Sequence, residues 1–184
     1  MQQRARQPPA ALALALLALG ACRASAVSGD LESLRSSQVE HAAIRRMLDQ
    51  LYSAFCFDPG SEADWERMRA LFAPGASFFP PATKGVSPRG TGQDPFLEEF
   101  RRWITQTQVG STGLHEAIVN AKLEVFGGIA HAWVTFDAFV PGSPPDRRGI
   151  DSLQLVLDGD TWKVASFTTQ YAGDSLPVPE RLGS

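Results

Sequence analysis

His115 and Asp151 are the two residues of this chain whose types suit proton transfer and whose expected positions share one surface. Each falls at the wide end of a predicted β-hairpin, away from the tight turn, on the face that turns inward. A histidine beside a carboxylate in a partly apolar pocket is equipped for acid–base work, because the carboxylate orients the ring and stabilises its charged form. Tyr52 or Thr168 would supply a hydrogen bond to developing charge, and Phe136 faces the same space. Tyr52, Phe136 and Thr168 are therefore the expected ligand-binding set. A plainer reading stands beside this one: His115 and Asp151 satisfy polar needs at the end of the sheet or bond to loop backbone. Arg147 and Arg148 lie next to that end, where one of them can pair with Asp151.

Other chemistries find less support. His115-Glu116 opens like the zinc-protease motif H-E-x-x-H, but residue 119 is Val and the segment reads as a strand. The two histidines of that motif must share a helical face, so zinc is excluded on this count. With three histidines in the chain and one cysteine besides Cys22, no metal site is expected. Cys56, between Phe55 and Phe57, reads as a buried, inert thiol, since no histidine lies close in sequence to activate it. His131 reads as a surface partner of Glu124. No G-x-S-x-G elbow is present. A net charge of −3 with no basic block after the N-terminus disfavours nucleic acid as a partner.

The elements that must position these residues follow from periodicity. At 184 residues, 43% hydrophobic and 20% charged, the chain supports one domain with a substantial core. Residues 37–55 read as a helix whose buried stripe is Ile44, Leu48, Leu51 and Phe55, flanked by Met47 and Tyr52. A second helix is expected over 62–72, with Ser61 as N-cap, and a short edge strand over 76–79. Residues 80–93 read as a loop able to cover an opening. A third helix starts at Asp94-Pro95, with Phe96, Phe100, Trp103 and Ile104 as its buried stripe.

Four long antiparallel strands follow. Gly127-Gly128 between two alternating runs is a hairpin cue, read as a type I′ turn with both glycines at positive φ. Pairing outward from that turn sets Leu123 opposite Ala132, Ala121 opposite Val134 and Val119 opposite Phe136. In the last hairpin, Leu157 faces Trp162, Leu155 faces Val164, and Asp151 faces Thr168. One face of both hairpins is then apolar and receives the helices. The opposite face exposes Ile118, Trp133, Phe139, Phe167 and Tyr171, a patch that suggests a homodimer.

The N-terminus reads as a signal peptide over 1–21. Arg4 and Arg6 precede an apolar run, Ala10–Ala21, too short to span a bilayer. Two cleavage readings compete. Leu19-Gly20-Ala21-Cys22 resembles a lipobox, with Cys22 lipidated and the protein membrane-anchored on the periplasmic side. Ala24-Ser25-Ala26 fits an ordinary site that releases a soluble chain starting at Val27. Residues 22–36 read as a flexible tether, 37–171 as the domain, and 172–184 as a loose tail.

Helix, helix, short strand, helix and four long strands resembles the nuclear-transport-factor-2-like superfamily, and within it bacterial SnoaL-like proteins. Phe57-Asp58-Pro59-Gly60, Leu71-Phe72-Ala73-Pro74-Gly75-Ala76, Phe126-Gly127-Gly128-Ile129-Ala130-His131 and Gly159-Asp160-Thr161-Trp162-Lys163-Val164 carry the likeness. The resemblance implies an α+β, cystatin-like cone in which three N-terminal helices pack on a curved antiparallel sheet. It also implies a ligand or chemistry held at the open end, and no cofactor. The Asp–Tyr–Asp trio of ketosteroid isomerases cannot be placed on this chain, and Thr168 stands where many relatives carry a histidine. A binding or adaptor module for a small hydrophobic molecule is thus the leading expectation. The alternative is a cofactor-independent isomerase, cyclase or dehydratase that uses His115 and Asp151.

Overall fold

The computed structural model describes residues 37–81 and 89–183. The expected signal peptide, Cys22 and the tether lie outside them. The chain separates into two units, Met1–Glu40 and His41–Ser184, and the sheet and its site belong to the second.

Helix α1 (37–55) buries the stripe its spacing demands: Ile44, Leu48, Leu51 and Phe55, with Met47 and Tyr52 beside them. Helix α2 is shorter than expected, Trp65–Leu71. Asp64 rather than Ser61 is its cap, accepting from the Arg67 N–H at 3.0 Å. Strand β1, Phe72–Phe79, starts at once after it and is longer than the expected edge strand. β2 is the two-residue Thr91–Gly92, and α3 runs Gln93–Gln106, with Gly92 rather than Asp94 at the cap position. Asp94 instead pairs with Arg69 of α2. A turn of helix, α4 (Val109–Thr112), precedes the long strands β3 (His115–Phe126), β4 (Ile129–Phe139), β5 (Arg147–Asp158) and β6 (Thr161–Tyr171).

The six strands form one sheet in the order β2-β1-β6-β5-β4-β3. β1 is not an edge: it lies between β2 and β6, and it runs parallel to β6. The sheet is therefore mixed rather than wholly antiparallel.

Pairing starts in the expected register. Phe126 faces Ile129, Leu123 faces Ala132 and Ala121 faces Val134. Of the turn glycines, Gly127 alone takes positive φ, +56°. Beyond Asn120 the pattern slips by one, because Val119 is an extra residue in β3 and Ile118 takes its place opposite Phe136. The same happens in β6. Leu155 faces Val164 as expected, but Gln154 faces Ser166, which leaves Ala165 unpaired. Each bulge adds local twist and bends its strand.

The slips re-sort the surface. Phe167 is buried at 7% exposure, and Ile118 now lies opposite the buried Phe136, so neither belongs to the expected outer patch. Trp133 stays outside, 38% exposed. Nor is the end of the chain loose within the described residues. Helix α5, Glu180–Gly183, buries Leu182, whose carbonyl accepts from the Thr135 hydroxyl at 2.6 Å and from the Asn120 amide at 3.3 Å.

Candidate functional site: a carboxyl pair in an aromatic cavity

The turn-proximal half of the sheet is filled by Leu153, Leu155, Trp162 and Val164, all buried. At the open half the inner face carries small residues instead. Ala138 stands opposite Glu116, and Gly149 stands opposite Phe136. A Cβ at position 149 would come within 2.4 Å of Phe136 Cζ, so the ring lies directly on the glycine backbone. Ala138 and the Phe136 ring border a cavity of about 440 Å³.

Its aromatic wall comes from α3 and β1. Phe78 stacks on Phe96 at 4.1 Å, Phe96 on Phe100 at 6.3 Å, and Phe100 on Trp103 at 5.7 Å, all nearly parallel. Of the stripe expected to be buried, Phe96, Phe100 and Trp103 thus line an opening, Trp103 being 38% exposed, while Ile104 is buried as expected and Leu97 with it. Phe136, Phe139, Phe167 and Tyr171 complete the wall from β4 and β6.

Asp151 and Glu116 are the carboxyls inside. Asp151 is 1% exposed. The Tyr52 hydroxyl of α1 donates a short hydrogen bond to its Oδ2, whereas its buried Oδ1 makes no hydrogen bond among the described residues. Burial raises the Asp151 carboxyl to about 7, against the opposing pull of Tyr52 and Thr169. Glu116 is raised to about 8, by burial first and then by the charge of Asp151. Burial, with Asp151 next, also holds the Tyr52 phenol well above its ordinary range, so Tyr52 serves as a donor.

Cys56 ties this corner together. Its thiol donates to the Tyr52 carbonyl at 3.2 Å, and its sulfur accepts from the Glu116 N–H at 3.2 Å. Burial pushes the thiol pKa up, which suits a structural rather than a nucleophilic role. At the mouth stand Glu99, Asp146 and Arg147, whose guanidinium sits 5.1 Å from the Tyr171 ring centroid. Among the described residues, no three His, Cys, Asp or Glu side chains come together to hold a metal ion.

No family model matches the chain, and no curated protein matches its sequence. Solved structures do match its shape. A cystatin-like protein of unknown function from Nostoc punctiforme superposes with a TM-score of 0.58 at 13% identity, covering 76% of this chain and 95% of that one. A candidate dehydratase of the nuclear-transport-factor-2-like family from Streptomyces avermitilis gives 0.58 at 15%, covering 74% and 99%. A candidate scytalone dehydratase from Novosphingobium aromaticivorans gives 0.56 at 17%, covering 76% and 89%. The fold is nuclear-transport-factor-2-like. At these identities the likeness extends to architecture alone.

Within this nuclear-transport-factor-2-like fold, the expected site residues part company. Asp151 and Phe136 line the cavity, and Tyr52, outside its lining, bonds Asp151 with its ring 5.9 Å from that of Phe136. His115 does not join them. The Val119 bulge turns Glu116 inward in its stead, and His115 Nε2 lies 3.3 Å from Asp58 Oδ1. Thr168 is exposed on the other side of β6, because the Ala165 bulge brings Thr169 opposite Asp151. Arg148 pairs with Asp137 at 2.6 Å rather than with Asp151. His131 hydrogen-bonds Ser152 at 3.1 Å while facing Glu124 in register. Glu116 and Thr169 are the members that alternation passed over, while Cys56 is the inert thiol its sequence setting suggests.

Proposed function

We propose that this protein binds a small molecule with an apolar, ring-bearing body in the aromatic cavity, and that Asp151 and Glu116 contact its polar group. The observation that carries the reading is the buried Asp151 Oδ1, which has no hydrogen-bond partner among the described residues, on a residue that lines the cavity. An unmatched buried acceptor costs roughly 1–3 kcal/mol, and a ligand that donates to it recovers that loss. The test is calorimetric titration with naphthalene-ring compounds, paired with native mass spectrometry of the purified protein. Wild type should bind. Val140→Trp, which plugs the mouth at a residue 36% exposed, should abolish binding without lowering the melting temperature. Equal binding by the plugged variant would place the ligand elsewhere.

A second reading, acid–base catalysis, is supported by the carboxyl pair itself. Two coupled acids with affinities near neutrality hold one proton to give and one site to accept. In this reading Glu116, not His115, works with Asp151, and Tyr52 orients it. Deuterium exchange into a ring ketone such as 2-tetralone tests it. Asp151→Asn should slow enzymatic exchange by roughly 10²-fold, the usual worth of a positioned acid–base group. Exchange no faster with wild type than in buffer leaves capture without chemistry.

The address and assembly are proposals from the sequence. The protein is exported and lipid-anchored through Cys22, which mass spectrometry of the mature N-terminus decides against a free chain starting at Val27. It pairs as a homodimer through the outer face of the sheet, where Ile129 and Trp133 are exposed. A monomeric mass by light scattering at micromolar concentration rejects the dimer.

A further inference from the structure

We infer that the ligand is an organic cation, an apolar ring body whose protonated or quaternary nitrogen sits between Asp151 and Glu116. This rests on the capture reading and adds the charge of what is captured.

The cavity's own charges are lopsided. Among the described residues four carboxyls line it, Glu99, Asp146, Glu116 and Asp151, against a single cation, Arg147. Arg147 is exposed at the mouth and its guanidinium lies against Tyr171. Neither inner carboxyl forms an ion pair among the described residues, and the Glu116 side chain makes no hydrogen bond there. Buried acids are ordinarily matched by Arg, Lys or a cluster of N–H donors. Among the described residues no counter-charge meets the inner pair, while the space for one, about 440 Å³, is built in.

The walls suit the same guest. The faces of aromatic rings carry negative potential, and rings are the usual partners of organic ammonium groups. An anionic ligand would lie beside two acids and gain nothing from such walls. A neutral acceptor would need both inner carboxyls to keep their protons. A cation satisfies the orphan Asp151 Oδ1, removes the repulsion between the two acids, and drives off the protons that burial makes them hold. That release is a signature neither of the other ligand types gives.

Three probes of one shape separate the cases at pH 7: 1-naphthylmethylamine, 1-naphthalenemethanol and 1-naphthoate, titrated calorimetrically in buffers of different ionisation enthalpy. The amine should bind at least roughly tenfold tighter than the alcohol, with the naphthoate weakest, and should release on the order of one proton. Glu116→Gln should weaken the amine by roughly tenfold and leave the alcohol within about twofold, since it removes a charge and keeps the shape. Asp151→Asn, which retains an acceptor for Tyr52, provides the same comparison if Glu116→Gln does not fold. An alcohol that binds as tightly as the amine, or amine binding without proton release, overturns the cation and leaves capture standing. Failure of all three probes to bind overturns both.

Discussion

From the Gly127–Gly128 turn to Asn120 the first hairpin pairs residue for residue, and its inner face is apolar, with Ala121, Ala130, Ala132 and Val134 buried. Past Val119 every β3 residue is offset by one, and its inner face opens on a cavity. The second hairpin divides the same way at Ala165. Both halves are built from the same strands, so composition alone does not separate them. What separates them is phase. In the turn half each inward residue is the one that hydrophobic alternation requires, and burial there is its own reward. In the open half the bulges turn Glu116 inward and bring Thr169 opposite Asp151, residues that alternation would send elsewhere. A polar site can thus be mounted on a sheet whose stability is supplied by its other end.

That division can be broken in order of effect. Leu153→Ala, in the packed half, should cost about 2–5 kcal/mol by chemical denaturation, because a fully buried leucine leaves a void there. Ligand capture by the folded fraction should be unchanged; a variant that loses affinity instead would mean the halves are coupled. Gly149→Ala, in the open half, forces a methyl into the Phe136 ring and should cost about 1–3 kcal/mol. Gly149→Ala with Phe136→Leu should recover most of that loss, and no recovery would show that the ring is not what the glycine accommodates.

The pH dependence of stability should belong to the open half. Asp151 and Glu116 rise from 3.8 and 4.5 to about 7 and about 8. The folded state therefore holds their protons more tightly than the unfolded chain. Their contribution is complete below the ordinary carboxylate range and is lost as pH rises through about 7 to 8. Melting temperature should fall across that rise, more weakly in Asp151→Asn and in Glu116→Gln, and in parallel with wild type in Leu153→Ala. A flat wild-type profile would refute the raised carboxyl pair. Smallest of all, His115→Ala should cost under about 1 kcal/mol, since its pairing with Asp58 is largely solvated. Any larger loss of ligand affinity there would restore His115 to the site.

The fold was legible where burial alone decides the residue. The α1 stripe, the turn at Gly127 and the registers through Ala121 and Val164 all follow from apolar spacing. The sites of slippage were half legible. Ile118-Val119 puts two β-branched residues side by side in a strand that otherwise alternates. Phe167 stands out of phase with Trp162 and Val164. A break in period marks a bulge, yet it does not say which residue is the extra one. Glu116 could not be found by pattern, because an inward carboxyl contradicts the rule that locates inward positions. Asp151 was found from its place at the strand end, and Tyr52 from its place beside the α1 stripe.

The parallel pairing of β1 with β6 bears on the order of folding. Phe72 and Phe78 reach their partners Val164 and Phe167 only after the whole of β3 to β5 has been made. β6 is the last of the six strands to leave the ribosome, so β1, and with it β2, has no neighbour to join until β3 to β6 have all been made. Closing so long a loop is slow, and it leaves a strand edge uncovered in the meantime. A nascent chain halted before Thr161 would carry a nearly complete meander and an unpaired Phe-rich segment, a species that a chaperone would hold and that free solution would aggregate.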